Sequence, residues 1–279
     1  MKSRIVLLIA IFVSLGIIYA IFNAEKKQIN ANEQPTKQNQ VCVKLVYDKP
    51  IDGYEVTADW QPFEVKDCET GYITINFRDI STGKEFQYIN REKFSSYHTD
   101  LITSAEGFDG YKDGDVYHIE YVSKPNPFEE SPIDYYLPFQ FYDVDFDGEK
   151  ELLINNYEKG QQGNGYDVFE ITDAGLEEKS YPPFDSVDNM MKFDNQSKII
   201  SCYMHDGSYY AMEVRYQKVD RISKQNLSIP NGLDDKLKNS LSNLEPDAPS
   251  DFHIVAAEIS MGEAEYKLKV QNGGWLLIE

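Results

Sequence analysis

Five acidic residues fall within nine positions at Asp143-Val144-Asp145-Phe146-Asp147-Gly148-Glu149-Lys150-Glu151. Calcium takes six to eight oxygen ligands at about 2.3 to 2.6 Å, and acids at alternate positions of a tight loop can all point at one ion. Asp143, Asp145 and Asp147 supply three such positions. Gly148 permits the sharp turn, the main-chain carbonyl of Glu149 is placed as a further ligand, and Glu151 is the acid at position nine. Without a cation these carboxylates repel one another, with Lys150 alone among them to offset the charge. The spacing therefore predicts a Ca2+ site, with a solvated acidic turn as the alternative reading. Position twelve is Ile154 and not the bidentate Glu that closes a helix-loop-helix site, and LLINNY reads as a strand. A static loop leading into a sheet is expected, of the kind whose affinity can be as weak as about 10⁻⁴ to 10⁻³ M.

Downstream, Gly160-Gln161-Gln162-Gly163-Asn164-Gly165-Tyr166 joins two predicted strands. A phosphate-binding loop needs a helix immediately after it, whereas YDVFEI has strand character, so nucleotide binding is rejected. Two readings remain. One is a recognition loop, Gly160, Gly163 and Asn164 giving it freedom of approach and Tyr166 supplying an aromatic anchor beside the metal site. The other is an ordinary hairpin connection with Tyr166 packed on the sheet.

The elements that must position these residues are strands. From Val41 onward, short segments rich in Tyr, Phe, Ile and Val alternate with Gly, Asp, Asn and Pro clusters. CVKLVY (42–47), YITINF (72–77), VYHIEYV (116–122), YDVFEI (166–171) and the segments at 209–216, 252–259, 266–270 and 275–278 are examples. Ser81-Thr82-Gly83 is a hairpin connection with glycine where a left-handed residue is required. Only 233–244, with Leu233, Leu237, Leu241 and Leu244 along one side, has helical spacing. An all-β fold follows, and turn intervals of roughly ten residues fit a sandwich, a barrel or a propeller. The proline-rich stretch KPNPFEESPI (124–133) is either a break between two β units or one long loop.

The N-terminus, Met-Lys-Ser-Arg followed by eighteen uncharged residues from Ile5 to Phe22, is a basic region preceding an export or membrane segment. Its length fits both a cleaved signal peptide and a retained inner-membrane anchor. Residues 1–24 are thus read as signal or anchor, 25–41 as a polar tether that cannot repay the entropy of ordering, and 42–279 as the β-rich domain. An exported location, periplasmic or at the cell surface, is expected. Without Lys2 and Arg4 the chain keeps 25 of its 27 basic residues against 47 acidic ones, a net of −22. Such a surface repels nucleic acid and favours calcium and basic proteins. In an oxidising compartment the three cysteines allow one bridge; Cys42 with Cys68 is the expected disulfide. Strand alternation puts Cys202 on one face with Ile200 and Met204, as a buried thiol.

No catalytic constellation stands out. His98, His118, His205 and His253 have no metal-ligand spacing, and neither a Gly-x-Ser-x-Gly elbow nor a Cys-His signature occurs. The chain is read as a binding protein and not an enzyme.

The run FYDVDFDGEKELLI, then GQQGNGYDVFEI, then FDNQSKIISCYMHDG, covering roughly residues 138 to 220, resembles the calcium-binding, propeller-like periplasmic proteins that act as bacterial lysozyme inhibitors or immunity proteins. Asp143, Asp145, Asp147, Gly148 and Glu151 match the family's metal motif, and Gly160, Gly163, Asn164 and Tyr166 its loop. The resemblance implies a β-propeller-like fold, with a pair of β-sandwiches as the alternative. It also implies inhibition of a basic, lysozyme-like peptidoglycan hydrolase. A surface module for polysaccharide binding or adhesion is the competing function, favoured by the calcium loop and the 20 tyrosines.

Overall fold

The computed structural model describes residues 41–66, 70–95, 109–122, 131–134, 137–156, 165–206, 210–244 and 250–278. The signal or anchor segment, the tether up to residue 40, Cys68, Gly160, Gly163, Asn164 and most of the proline-rich stretch lie outside them. Among the described residues the chain is all-β apart from one α-helix and a single 3₁₀ turn at Phe184–Ser186. It builds three sheets, each completed before the next begins.

The first sheet contains β1 (Val43–Tyr47), β2 (Tyr54–Pro62), β3 (Thr70–Asp79), β4 (Glu85–Ser95) and β5 (Val116–Ile119), in the order β4-β3-β2-β1-β5. All its pairs are antiparallel except β1 with β5. Gly83, at φ 72°, turns β3 into β4 as its position in STG predicts. Alternation sends Val56, Ala58 and Trp60 of β2 and Ile73, Ile75 and Phe77 of β3 to one buried face.

The second sheet is a meander of β6 (Phe139–Tyr142), β7 (Glu151–Asn156), β8 (Gly165–Thr172) and β9 (Gly175–Glu178). Here the burial does not alternate. Glu151, Leu152, Leu153, Ile154 and Asn155 are all buried, because the sheet is covered on both sides. Leu152 and Ile154, with Phe139, pack into the core of the first sheet. Leu153, Tyr166 and Val168 face the other way.

That opposite core belongs to the third sheet: β10 (Lys192–Asp194), β11 (Ile199–Asp206), β12 (Tyr210–Ser223), β13 (Ser250–Met261), β14 (Ala264–Gln271) and β15 (Gly274–Leu277), paired in chain order. A register shift near Arg215/Tyr216 changes the parity of β13, so that Phe252 and Ile254 on one side of it and Ala257 and Ile259 on the other all stay buried. Helix α1 (Asp235–Ser242) is capped by Asp234, whose carboxylate accepts from the Leu237 N–H, and it buries Leu237 and Leu241 in this core. Val41–Glu279 forms one compact unit. Cys202 is buried with a free thiol beside Ile200. Cys42 also carries a free thiol, and its expected partner Cys68 lies outside the described residues.

Candidate functional site

The acidic loop is the turn between β6 and β7, and hydrophobic insertion fixes its shape. Val144 and Phe146 point down into the core shared with the third sheet, Phe146 lying beside Phe193 and Phe252 at centroid separations of 6.3 Å. Burying that ring requires a left-handed backbone at Phe146, φ 61°, a cost that ring burial outweighs. Gly148 follows at φ 97°, where a side chain would be strained. Lys150 ties the loop to the β1–β2 turn through Asp52, at 2.5 Å.

With its apolar residues pinned inward, the loop turns its carboxylates on its own backbone. The Asp147 N–H donates to Asp143 Oδ1 at 3.2 Å and to Asp145 Oδ1 at 3.1 Å, and the Gly148 N–H donates to Asp143 Oδ2 at 3.1 Å. The Glu149 N–H donates to Asp147 Oδ1 at 2.8 Å. Glu151, the first residue of β7, accepts from the Val144 N–H through Oε2 at 3.0 Å. Carboxylate oxygens of Asp143, Asp145 and Glu151 come within 4.8 Å of one another. The Asp147 carboxylate, also expected as a ligand, is outside that group, and Glu149 is expected through its main-chain carbonyl.

The sequence reading missed two lysines from distant strands. Lys179, immediately after β9, is buried and places Nζ 2.6 Å from Asp145 Oδ2 and 2.9 Å from Glu151 Oε1. Lys218 of β12 donates to the Asp145 carbonyl at 2.5 Å and approaches its Oδ1 at 3.5 Å. Burial opposes the charge on Asp145, but the Lys179 hydrogen bond and the two ammonium groups outweigh it and hold the carboxyl below its usual range. Glu151 moves the other way: burial pushes its pKa up, and the Asp145 charge beside it weakens the relief that Lys179 gives. Burial also opposes the charge on Lys179, yet the two carboxylates override it and keep the ammonium protonated beyond the ordinary lysine range.

The placement of Tyr166 corrects the expected partner anchor. Its side chain is fully buried, and its hydroxyl donates to the Asp134 carbonyl at 2.5 Å. Tyr166 belongs to the face of the second sheet that meets the third, so it packs instead of reaching outward. The residues that flank the glycine-rich stretch lie away from the acidic loop. The acidic loop precedes Glu151 at one end of β7, whereas the glycine-rich connection leaves from Asn156 at the other and returns at Gly165, its register partner. Five strand steps separate those ends, roughly 17 Å.

Tyr142, Asp143, Phe146, Asp147, Gly148, Lys150, Asn195 and Lys198 line a shallow cleft over the outer side of the acidic loop. Among the described histidines, His118 pairs with Asp48 at 2.7 Å on the surface and His253 with the Ser223 hydroxyl at 3.1 Å. Neither faces the acidic group.

No family model matches the chain, and no curated protein matches it. Among solved structures it is similar to one described as "Structure of a Xanthomonas Type IV Secretion System related protein". That match has 10% identity over 89% of this chain and 97% of the other, with a TM-score of 0.43.

Proposed function

We propose that the protein is an exported calcium-binding protein that binds and inhibits a basic peptidoglycan hydrolase. The observation that carries the metal part is the convergence of the Asp143, Asp145 and Glu151 carboxylates within 4.8 Å on a loop whose backbone is already turned around them. Hard oxygen donors at such spacing suit calcium better than a transition metal. Asp143, Asp145 and Glu151 would hold the ion, and the Glu149 carbonyl and Asp147 would complete the shell. The ion would rigidify the loop and neutralise charge at the edge of the cleft. Net charge of −20 on the full chain supports a basic partner by long-range attraction. The resemblance of residues 138 to 220 supports a hydrolase as that partner. Completion of each sheet before the next begins is compatible with the finer propeller-like reading.

The test has two parts. Calorimetry should find calcium uptake by the wild type that Asp145→Ala abolishes, and inhibition of a lysozyme-like hydrolase should weaken when calcium is chelated. Absence of uptake by the wild type would remove the metal from the proposal. Inhibition of none of a panel of lysozyme-like hydrolases, together with binding on a glycan array, would replace the partner with a polysaccharide.

A further inference from the structure

We propose that Lys179 is a built-in occupant of the acidic loop that competes with a divalent cation for the same oxygens, so that this site exchanges an internal ammonium for calcium; this rests on the calcium reading. Lys179 is tethered by its backbone, its N–H donating to the Val168 carbonyl at 2.9 Å, and its side chain is only 7% exposed. Asp145 and Glu151 each spend one oxygen on a loop N–H, from Asp147 and Val144, and the other on Lys179. Lys179 thus holds one oxygen from each of two of the three converging carboxylates. A calcium ion bonded to both at about 2.4 Å would sit almost on top of an ammonium held at 2.6 and 2.9 Å. Two cations cannot share that point.

The chain also provides somewhere for the displaced group to go. Glu170 Oε2 is 3.5 Å from Lys179 Nζ, and its side chain is 54% exposed. A modest rotation toward it keeps the ammonium paired while it vacates Asp145 and Glu151. Lys218 can stay, because its shorter contact is the Asp145 carbonyl at 2.5 Å and it touches neither of the two oxygens that Lys179 holds. With Lys179 in place, three carboxylates face two ammonium groups, so the loop folds without a metal and binds one weakly. Without Lys179 the same carboxylates would leave the buried group strongly anionic and dependent on the divalent ion.

The experiment compares wild type with Lys179→Met by calcium calorimetry and by thermal unfolding in chelator and in calcium. The variant is expected to melt lower than the wild type in chelator, to recover in calcium, and to bind calcium about tenfold or more tightly than the wild type. Equal affinities, or binding by neither protein, overturns the competition. Uptake by the variant alone upholds Lys179 as the excluding group while sinking the reading of the wild type as a calcium protein. Should Lys179→Met fail to fold even in calcium, amine labelling of the wild type followed by mass spectrometry decides. Lys179 should be protected in chelator and labelled in saturating calcium, and equal protection in both refutes the exchange.

Discussion

Replacing Tyr166 separates a packing role from a recognition role, and the structure sets the magnitudes. Tyr166→Phe removes a hydroxyl that donates to the Asp134 carbonyl at 2.5 Å and lies 3.4 Å from the Leu137 carbonyl. Neither acceptor is orphaned. Gln140 Nε2 still donates to the Asp134 carbonyl at 3.3 Å, and Asn155 Nδ2 reaches the Leu137 carbonyl at 3.5 Å. The loss should therefore be near the low end for a buried hydrogen bond, about 1 kcal/mol, and not the roughly 3 kcal/mol of an unpaired acceptor. Tyr166→Ala also empties a fully buried ring site between the second and third sheets, where truncation of a large aromatic costs about 3 to 5 kcal/mol. Set against a total of roughly 5 to 15 kcal/mol for a domain, that is a large fraction. Urea unfolding should rank wild type, Phe variant and Ala variant in that order, with the Phe variant down by about 1 kcal/mol and its hydrolase inhibition constant unchanged. A Phe variant of wild-type stability whose inhibition falls tenfold would refute the buried placement, because the hydroxyl would then be meeting the partner.

Two further outcomes rest on other sites. Burial raises the Cys202 pKa well above that of a free thiol, so its proton stays on in the fold while the unfolded chain ionises above about pH 8.5; stability from this residue is lost as pH rises beyond that value. At mildly alkaline pH a thiol reagent should modify the partly exposed Cys42 and leave Cys202 intact until denaturant is added, and equal rates for the two would contradict the core placement. At the start of α1, the Leu237 N–H donor holds the Asp234 pKa down, so its capping contribution is present above about pH 4 and disappears as pH falls through the lower folded value. Asp234→Ala should lower the melting temperature at neutral pH, with the gap from wild type closing in acid; a gap independent of pH would mean that the carboxylate charge does not cap the helix.

Local chemistry made much of the architecture legible in the sequence. Alternation marked strands such as β3 and β8, Gly83 marked its hairpin, and the leucine spacing from 233 to 244 marked α1 to within a few residues. These features depend on residues only a few positions apart. The acidic spacing likewise located the turn that brings Asp143, Asp145 and Glu151 together. Val56, Ala58 and Trp60 carried an equally regular signal for β2, which the sequence reading passed over.

Tertiary structure decided what covers each face and what neutralises each charge. ELLIN (151–155) is a continuous buried run because sheets lie on both sides of β7, and strand period alone cannot name either neighbour. Tyr166 went inward for the same reason. Glu151 and Asn156 are close in sequence but lie at opposite ends of one extended strand, so the acidic turn and the residues that flank the glycine-rich stretch are held apart. Lys179 meets Asp145 across 34 residues and Glu151 across 28, a pairing made by strand order and by the need of buried carboxylates for a cation. Nine residues of sequence showed a cluster that requires positive charge; only the order β7-β8-β9 within the second sheet showed that the chain brings a positive charge of its own.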